Sequence, residues 1–419
     1  LIANKNISKN EKQKIFKFIE NKNIRLSKIN TFNFSPKSAN EIDIVENINI
    51  ADLLGRDTIK ADKKLLKNTI IEQNICITGA GGSIGSELSR QVFENNPRKL
   101  ILIDMSEPSL YSIFEELNKA NYKKNIIIIP ILLNVSDYKK LDNLLDKNKV
   151  DILIHAAAYK HVPLVEKNPL IGLENNILSS LTVCKAAERN SVKKVVLISS
   201  DKAVRPTNLM GASKRLAELI FQSYAQKNKK NKDKTIFCSV RFGNVVNSSG
   251  SVIPLFKKQI LSGQNLTITH PKVVRYFMTI EEASTLVLIS SAISKGGEIF
   301  LLDMGDPISI LDLAKQMINL YGFTVRDKNN PLGDIEIKEI GLRPGEKLYE
   351  ELLIDSKSKN TNHDLIYIAQ ESFLEYKHLI SKLEILKRKI EDNDQKGAFG
   401  VLKEIIPEWQ ISNLLEKNI

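Results

Sequence analysis

Between Asn74 and Gly243 the chain alternates short, β-branched apolar runs with longer stretches whose apolar residues recur at helical spacing. Few architectures accept that rhythm. The runs at 75–78, 100–104, 126–133, 152–155, 195–200 and 235–240 are continuously apolar, as strands buried on both faces must be. Stretches near 83–95, 107–119, 137–146, 170–189 and 211–225 read as helices, and in the last Leu216, Leu219, Ile220 and Tyr224 recur at helical spacing. Such alternation predicts a parallel sheet with helices on both sides, a doubly wound α/β domain over 71–243. Beyond Gly243, loops, short strands and helices are jointed by Pro and Gly. A smaller second lobe is expected over 244–369, with some segments returning to the main sheet. Residues 1–70 and 370–419, rich in Lys, Asn and Glu, read as an N-terminal extension and peripheral C-terminal helices.

The length of 419 residues, 42% of them hydrophobic, allows two or three domains with a sizeable core, which excludes a peptide hormone or a knottin. The longest apolar run, 126–133, contains Pro130 and falls far short of the ~20 residues a membrane-spanning helix needs. Cys76, Cys184 and Cys238 lie far apart in apolar stretches without metal-ligand spacing. They read as reduced core thiols of a cytoplasmic compartment, and no metal is expected. A net charge of +12 admits an anionic partner. The densest basic run, 227–234, has no interleaved aromatics and no recognition-helix pattern, so nucleic acid is not the expected partner.

Directly after the first strand comes Thr78-Gly79-Ala80-Gly81-Gly82-Ser83-Ile84-Gly85. Glycines at a strand-to-helix turn let the backbone approach a pyrophosphate, while the helix start offers N–H donors and the positive end of its dipole. Asp104 ends the next strand about 20 residues on, where a carboxylate accepts from a ribose 2′-OH and repels a 2′-phosphate. The expected cofactor is NAD rather than NADP. The alternative role for Asp104 is capping the helix that starts near Ser106.

The GxxGxxG spacing resembles the short-chain dehydrogenase/reductase superfamily in its extended, nucleotide-sugar-modifying branch, a Rossmann fold with a C-terminal substrate lobe. That resemblance implies NAD contacts at Gly79, Gly82, Ser83, Ile84 and Gly85. It also places Asn134-Val135 where such proteins carry an Asp-Val pair against adenine, Ala156-Ala157 in the turn under the cofactor, and Asn176 as the superfamily's helix asparagine. The superfamily's YxxxK pattern sets a Tyr and a Lys one helical turn apart, the cation lowering the phenol's pKa. Here Lys214 fits and Met210 replaces the tyrosine. A thioether cannot take a proton from a sugar hydroxyl, so either the protein is inactive or another base has the role.

The run Ser199-Ser200-Asp201-Lys202 through Met210-Gly211-Ala212-Ser213-Lys214-Arg215 is similar to the large, membrane-associated branch of the UDP-N-acetylglucosamine 4,6-dehydratases of bacterial polysaccharide and glycan biosynthesis. Methionine at the tyrosine position is a known variant there. Further matches lie at 52–57, 158–166, 241–245, 275–279 and 341–347. The resemblance implies Lys202 as base at C5, Asp201 as acid at C6, Ser200 bonded to the C4 oxygen and Lys214 on the nicotinamide ribose. Ser200, a water and Asp201 all stay open as the route for the C4 proton. Lys160, His161, Asn244, Lys257, Arg275, Arg343 and Glu346 are implied on the UDP-sugar, the arginines donating paired hydrogen bonds to the diphosphate. A homo-oligomer built on the helix of Met210 and Lys214 is implied too, as is attachment to the cytoplasmic face of the inner membrane through segments outside this chain. The rival readings are a nucleotide-sugar 4-epimerase and a non-catalytic binder of NAD or nucleotide sugar.

Overall fold

The computed structural model describes residues 63–229, 235–246, 248, 250–353, 358–412 and 415, with two short paired strands at 28–29 and 45–46. The 52–57 motif and residues 230–234 of the basic run lie outside the described residues. The chain forms two compact units, one of residues 60–243, 280–304 and 343–419, the other of 1–59, 244–279 and 305–342.

The larger unit is built on nine strands. These are β1 (Asn74–Thr78), β2 (Lys99–Asp104), β3 (Ile127–Leu132), β4 (Ile152–His155), β5 (Lys194–Ile198), β6 (Ile236–Arg241), β7 (Ile299–Leu302), β8 (Ser358–Asn360) and β9 (Ile366–Ala369). They lie in the order 8-9-7-6-5-4-1-2-3, with β1 to β7 mutually parallel, β9 antiparallel to β7, and the edge strand β8 antiparallel to β9. Strand order reverses between β1 and β4. Open parallel sheets bind ligands beyond the carboxyl ends of the strands at such a switch, because the connections leave it in opposite directions and open a crevice.

The helices of this unit are α1 (Lys63–Ile70), α2 (Ser83–Glu94), α3 (Glu107–Ala120), α4 (Tyr138–Asn148), α5 (Ser179–Arg189), α6 (Leu209–Asn228), α7 (Ile280–Ile293), α8 (Tyr376–Glu391) and α9 (Gln395–Ile405). Those of the outer layers bury one stripe, as α2 does with Leu88, Val92 and Phe93 and α3 with Leu110, Ile113 and Leu117. In α6 every residue from Leu209 to Ala225 is buried.

Two expectations change, for the helix over 170–189 and for the C-terminal residues. The helix expected over 170–189 is broken into Pro169–Leu173, a wider π turn at Glu174–Leu178, and α5. The extra residue per turn carries Asn176, whose side chain bonds out of the helix to the Tyr159 backbone and to Ser213. Of the stretch 244–369, the segments α7, β7, β8 and β9 belong to the sheet unit. α7 is apolar nearly all round and is buried through Ala283, Leu286, Val287, Leu288 and Ile289. Residues 370–412 are not peripheral. Leu379, Leu383, Leu386, Phe399, Leu402 and Trp409 share one core cluster with Leu216, Phe221 and Tyr224 of α6. That covering buries α6 from Leu209 to Ala225 within the chain itself.

In the smaller unit, Leu266–Ile268 and Val325–Arg326 pair parallel to the two sides of Ile335–Glu339, and the helices Val252–Leu261 and Ile310–Leu320 bury Phe256, Ile260, Leu313 and Met317. Among the described residues no helix is long and apolar enough to cross a membrane, and no cluster of His, Cys, Asp or Glu has metal-binding geometry.

Candidate active site

The turn after β1 is shaped for close backbone approach. Gly79 has φ +66°, and a Cβ there would lie 2.7 Å from the amide nitrogen of Ala157. A Cβ on Gly85 would meet the Gly79 carbonyl oxygen at 1.9 Å, so only glycine lets the first turn of α2 sit against the loop. Gly82 caps α2 in extended backbone geometry and is exposed, with Ser83 and Ile84 half-buried behind it. A bare, glycine-lined helix start facing the switch of strand order fits a dinucleotide pyrophosphate.

Asp104 has two duties toward the protein. Its carboxylate accepts from the Gly81 N–H and the Ser106 N–H, both at 2.9 Å, so it ties the glycine turn to the start of α3. Each carboxylate oxygen accepts more than one bond, which leaves room for a ribose hydroxyl. Beside it, exposed Asn134 accepts from Ser136 and Val135 is buried. His155, buried at the end of β4, bonds to Thr78 and Ser180, and burial pulls its pKa down to about 3. It is a neutral structural imidazole. All the amide groups of Asn176 are engaged by the protein, so it acts on the loop holding Ala156 and Ala157 by fixing Tyr159.

At the end of β5 the chain turns through Ser200-Asp201-Lys202. Ser200 Oγ accepts from the Lys202 N–H and donates to Asp201 Oδ1 at 2.9 Å, and Lys202 Nζ donates to the same oxygen at 3.0 Å. Glu350 Oε1 is 3.6 Å from Lys202 Nζ. Asp201 is fully buried, yet its Oδ2 has no hydrogen-bond partner among the described residues. An orphaned buried carboxylate oxygen costs on the order of 1–3 kcal/mol unless something else binds it.

One helix away, Met210 is buried in the core and Lys214 lies a turn further on, its Nζ donating to the Ile198 carbonyl at 3.0 Å. Burial pulls the Lys214 pKa down to about 8 against the opposing Glu218 carboxylate. Between about pH 8 and its ordinary 10.5 the unfolded chain then holds more protons, so this group favours folding as pH rises. The cation offered to a ribose is lost over the same rise. NAD affinity is expected to weaken as pH goes from 7 to 9, and Lys214→Met should flatten that dependence in a calorimetric titration.

The sequence reading missed a charged knot beneath this turn. Glu218, fully buried on α6, accepts from Ser199 Oγ at 2.6 Å, from Arg241 Nε and Nη2 at 3.0 and 2.7 Å, and from Arg215 at 3.2 Å. Glu371 binds Arg241 twice, at 2.8 and 3.0 Å, and Arg215 once, at 2.9 Å. Burial alone would push the Glu218 carboxyl up, but the Arg241 guanidinium outweighs it and the pKa falls below the usual range. A charged residue interrupting the apolar run of α6 was the available signal.

The residues expected at the substrate divide between the units. Arg343 and Glu346 belong to the larger one, where the Glu346 carboxylate accepts from the Arg343 N–H at 3.1 Å. Their turn docks on the segment ahead of α6: Gly345, φ +71°, accepts from Thr207 Oγ1 at 2.7 Å, and Lys347 Nζ donates to the Val204 carbonyl at 2.8 Å. Lys160 and His161 are exposed after β4, His161 preceding the helix Val162–Lys167, its pKa lowered by partial burial and by Lys160. Asn244, Lys257 and Arg275 lie in the smaller unit; Arg275 is buried and donates to its neighbour's carbonyl, and Lys257 is exposed.

A nine-stranded, mostly parallel sheet with this glycine turn is the Rossmann fold of the extended short-chain dehydrogenases, shared with solved epimerases and dehydratases. The chain belongs to the family described as polysaccharide biosynthesis protein, whose pattern matches residues 75–371. It is 47% identical over 323 residues to the capsular polysaccharide biosynthesis protein CapD of Staphylococcus aureus and 45% identical over 319 to the probable polysaccharide biosynthesis protein EpsC of Bacillus subtilis. These matches cover 77% and 76% of this chain but 51% and 50% of the relatives, so the chain spans about half their length. A UDP-glucose 4-epimerase of Rickettsia bellii is 35% identical over 285 residues, 68% of this chain and 78% of the relative. Among solved structures, Pen from Bacillus thuringiensis superposes with a TM-score of 0.63 at 32% identity, over 75% of this chain and 99% of that one. DesIV, a dTDP-glucose 4,6-dehydratase of Streptomyces venezuelae solved with NAD, has a TM-score of 0.56 at 19% identity over 67% and 88%.

Proposed function

We propose that the chain is an NAD-dependent 4,6-dehydratase of UDP-N-acetylglucosamine, yielding a UDP-2-acetamido-2,6-dideoxy-4-hexulose for bacterial glycan or polysaccharide biosynthesis. The observation that carries this reading is the Asp201–Lys202 pair at the end of β5, with one carboxylate oxygen buried and unspoken for. A 4-epimerase moves a hydride and a proton at C4 alone. A dehydratase also needs a base at C5 and an acid at C6, and the pair offers both.

NAD, when bound, supplies the hydride acceptor for C4 and the donor that returns it to C6. Ser200 Oγ, in contact with Asp201, gives the C4 hydroxyl proton a path to that carboxylate and relieves the absence of a tyrosine at Met210. The new C4 ketone acidifies C5, whose proton Lys202 Nζ removes and later gives back. Asp201, now carrying the C4 proton, delivers it to the departing C6 hydroxyl, which leaves as water. Protons and electrons then balance with no outside donor. Lys214 orients the nicotinamide ribose, and Arg275 and Arg343 are assigned to the diphosphate, with Lys160, His161, Asn244, Lys257 and Glu346 on the rest of the nucleotide sugar.

The test is mass spectrometry of purified chain incubated with UDP-N-acetylglucosamine and NAD, where a product lighter by one water is expected. An unchanged mass with an inverted C4 would instead establish the epimerase, the second reading, favoured by the Rickettsia relative. NAD is expected to bind more tightly than NADP because Asp104 repels a 2′-phosphate; a lower Kd for NADP would overturn that assignment.

A further inference from the structure

The turn that carries Asp201 and Lys202 is held in a conformation it would not adopt alone. Arg205, three residues after Lys202, has φ +39°, in the region that non-glycine residues avoid. Such backbone persists where the surroundings over-determine it. One of those surroundings comes from beyond the shared family region, which ends at 371. The Gln410 N–H donates to the Pro206 carbonyl at 2.8 Å, and Ser412 Oγ donates to Glu166 Oε2. The other oxygen of Glu166 accepts from the Leu209 N–H at 2.7 Å, at the start of α6. Asn208 caps the same helix separately by accepting from the Gly211 N–H at 2.9 Å.

Glu166 is 2% exposed and has no cation within ion-pair distance among the described residues. Burying a carboxylate without a cation is costly, and its compensation among the described residues is a pair of donors on two segments far apart in sequence. Burial accordingly pushes its pKa up, with the Leu209 N–H and the Ser412 hydroxyl opposing. A carboxylate held at such cost is well placed as a joint between the two segments.

We infer that Glu166 is a positioning residue that couples the C-terminal segment 406–412 to the turn 201–209, and so aims Asp201 and Lys202. Its kinetic consequence rests on the dehydratase reading, but the coupling does not. The experiment compares full-length Glu166→Ala, Glu166→Gln and Ser412→Ala with the parent by amide hydrogen exchange, NAD titration and steady-state turnover of UDP-N-acetylglucosamine. Glu166→Ala is expected to speed exchange in peptides spanning 203–211 by about tenfold or more, leaving β1 to β4 unchanged. It should lower kcat by about tenfold, with KM and the NAD Kd within about twofold, because a mis-aimed acid–base pair harms the transition state alone. Glu166→Gln keeps an acceptor for the Leu209 N–H and should restore both, and Ser412→Ala should show a smaller rise in the same peptides. Unaltered exchange over 203–211 in Glu166→Ala would overturn the inference, as would a rise spread evenly through the unit. Should the parent make no dehydrated product, the dehydratase reading falls and the exchange pattern alone decides the coupling.

Discussion

Lys202→Ala and Asp201→Asn are each expected to lower turnover of UDP-N-acetylglucosamine by ~100-fold or more while NAD still binds with near-parent affinity. The two side chains share a hydrogen bond of 3.0 Å, so removing either changes the proton inventory at both reacting carbons. Neither lies in the glycine turn that would carry the pyrophosphate, and the Asp201 amide keeps its bond to the Phe242 carbonyl in both variants. Single-turnover assays with NAD saturating separate chemistry from binding. Turnover within a few-fold of the parent in either variant would remove that residue from the mechanism.

Arg241→Ala is expected to cost ~3–5 kcal/mol of stability, because it leaves two buried carboxylates sharing the single guanidinium of Arg215. Arg241 is fully buried and makes four bonds to Glu218 and Glu371, plus one to the Leu352 carbonyl. Arg215 touches both carboxylates and would keep one partner for each, which sets a ceiling on the loss. Urea unfolding of the variant and of Arg241→Ala with Glu218→Leu measures this directly. The double variant should regain part of the loss, since fewer stranded charges remain; a single variant within about 1 kcal/mol of the parent would show that the knot carries no such weight.

Most of the sheet could be read from the chain because its strands are buried on both faces and so are written as unbroken apolar runs, β1 and β4 being the plainest. The glycine turn was equally plain, since its geometry admits few residue types. Edges and returns were harder. β8, with Ser358, Lys359 and Asn360, is exposed throughout and has no apolar signature, and β9 joins the sheet after two excursions into the other unit. At the site, Asp201 and Lys202 stood out by their place at a strand end, whereas the bond from Glu166 to Ser412 links residues 246 positions apart that no local pattern relates. The Glu218 knot escaped for a related reason. Its partners come from β6, α6 and the stretch before α8, and only the folded chain shows that their charges cancel.

The enclosure of α6 bears on where this fold ends. Ser223 Oγ donates to the Leu374 carbonyl at 2.8 Å, the rings of Tyr224 and Tyr376 meet edge-on at 5.1 Å, and Leu379, Leu383, Leu386, Phe399 and Leu402 are buried in the same cluster. At about 1.5–3 kcal/mol for each such side chain, they contribute on the order of 10 kcal/mol, comparable to the whole net stability of a typical domain. A polypeptide trimmed after 371, where the region common to the family stops, would therefore bare an oily stripe along its central helix and leave Glu371 of the charged knot as its last residue. Recurrence across relatives and self-sufficiency as a folding unit are separate properties, and in this protein the boundary of the first falls inside the core of the second.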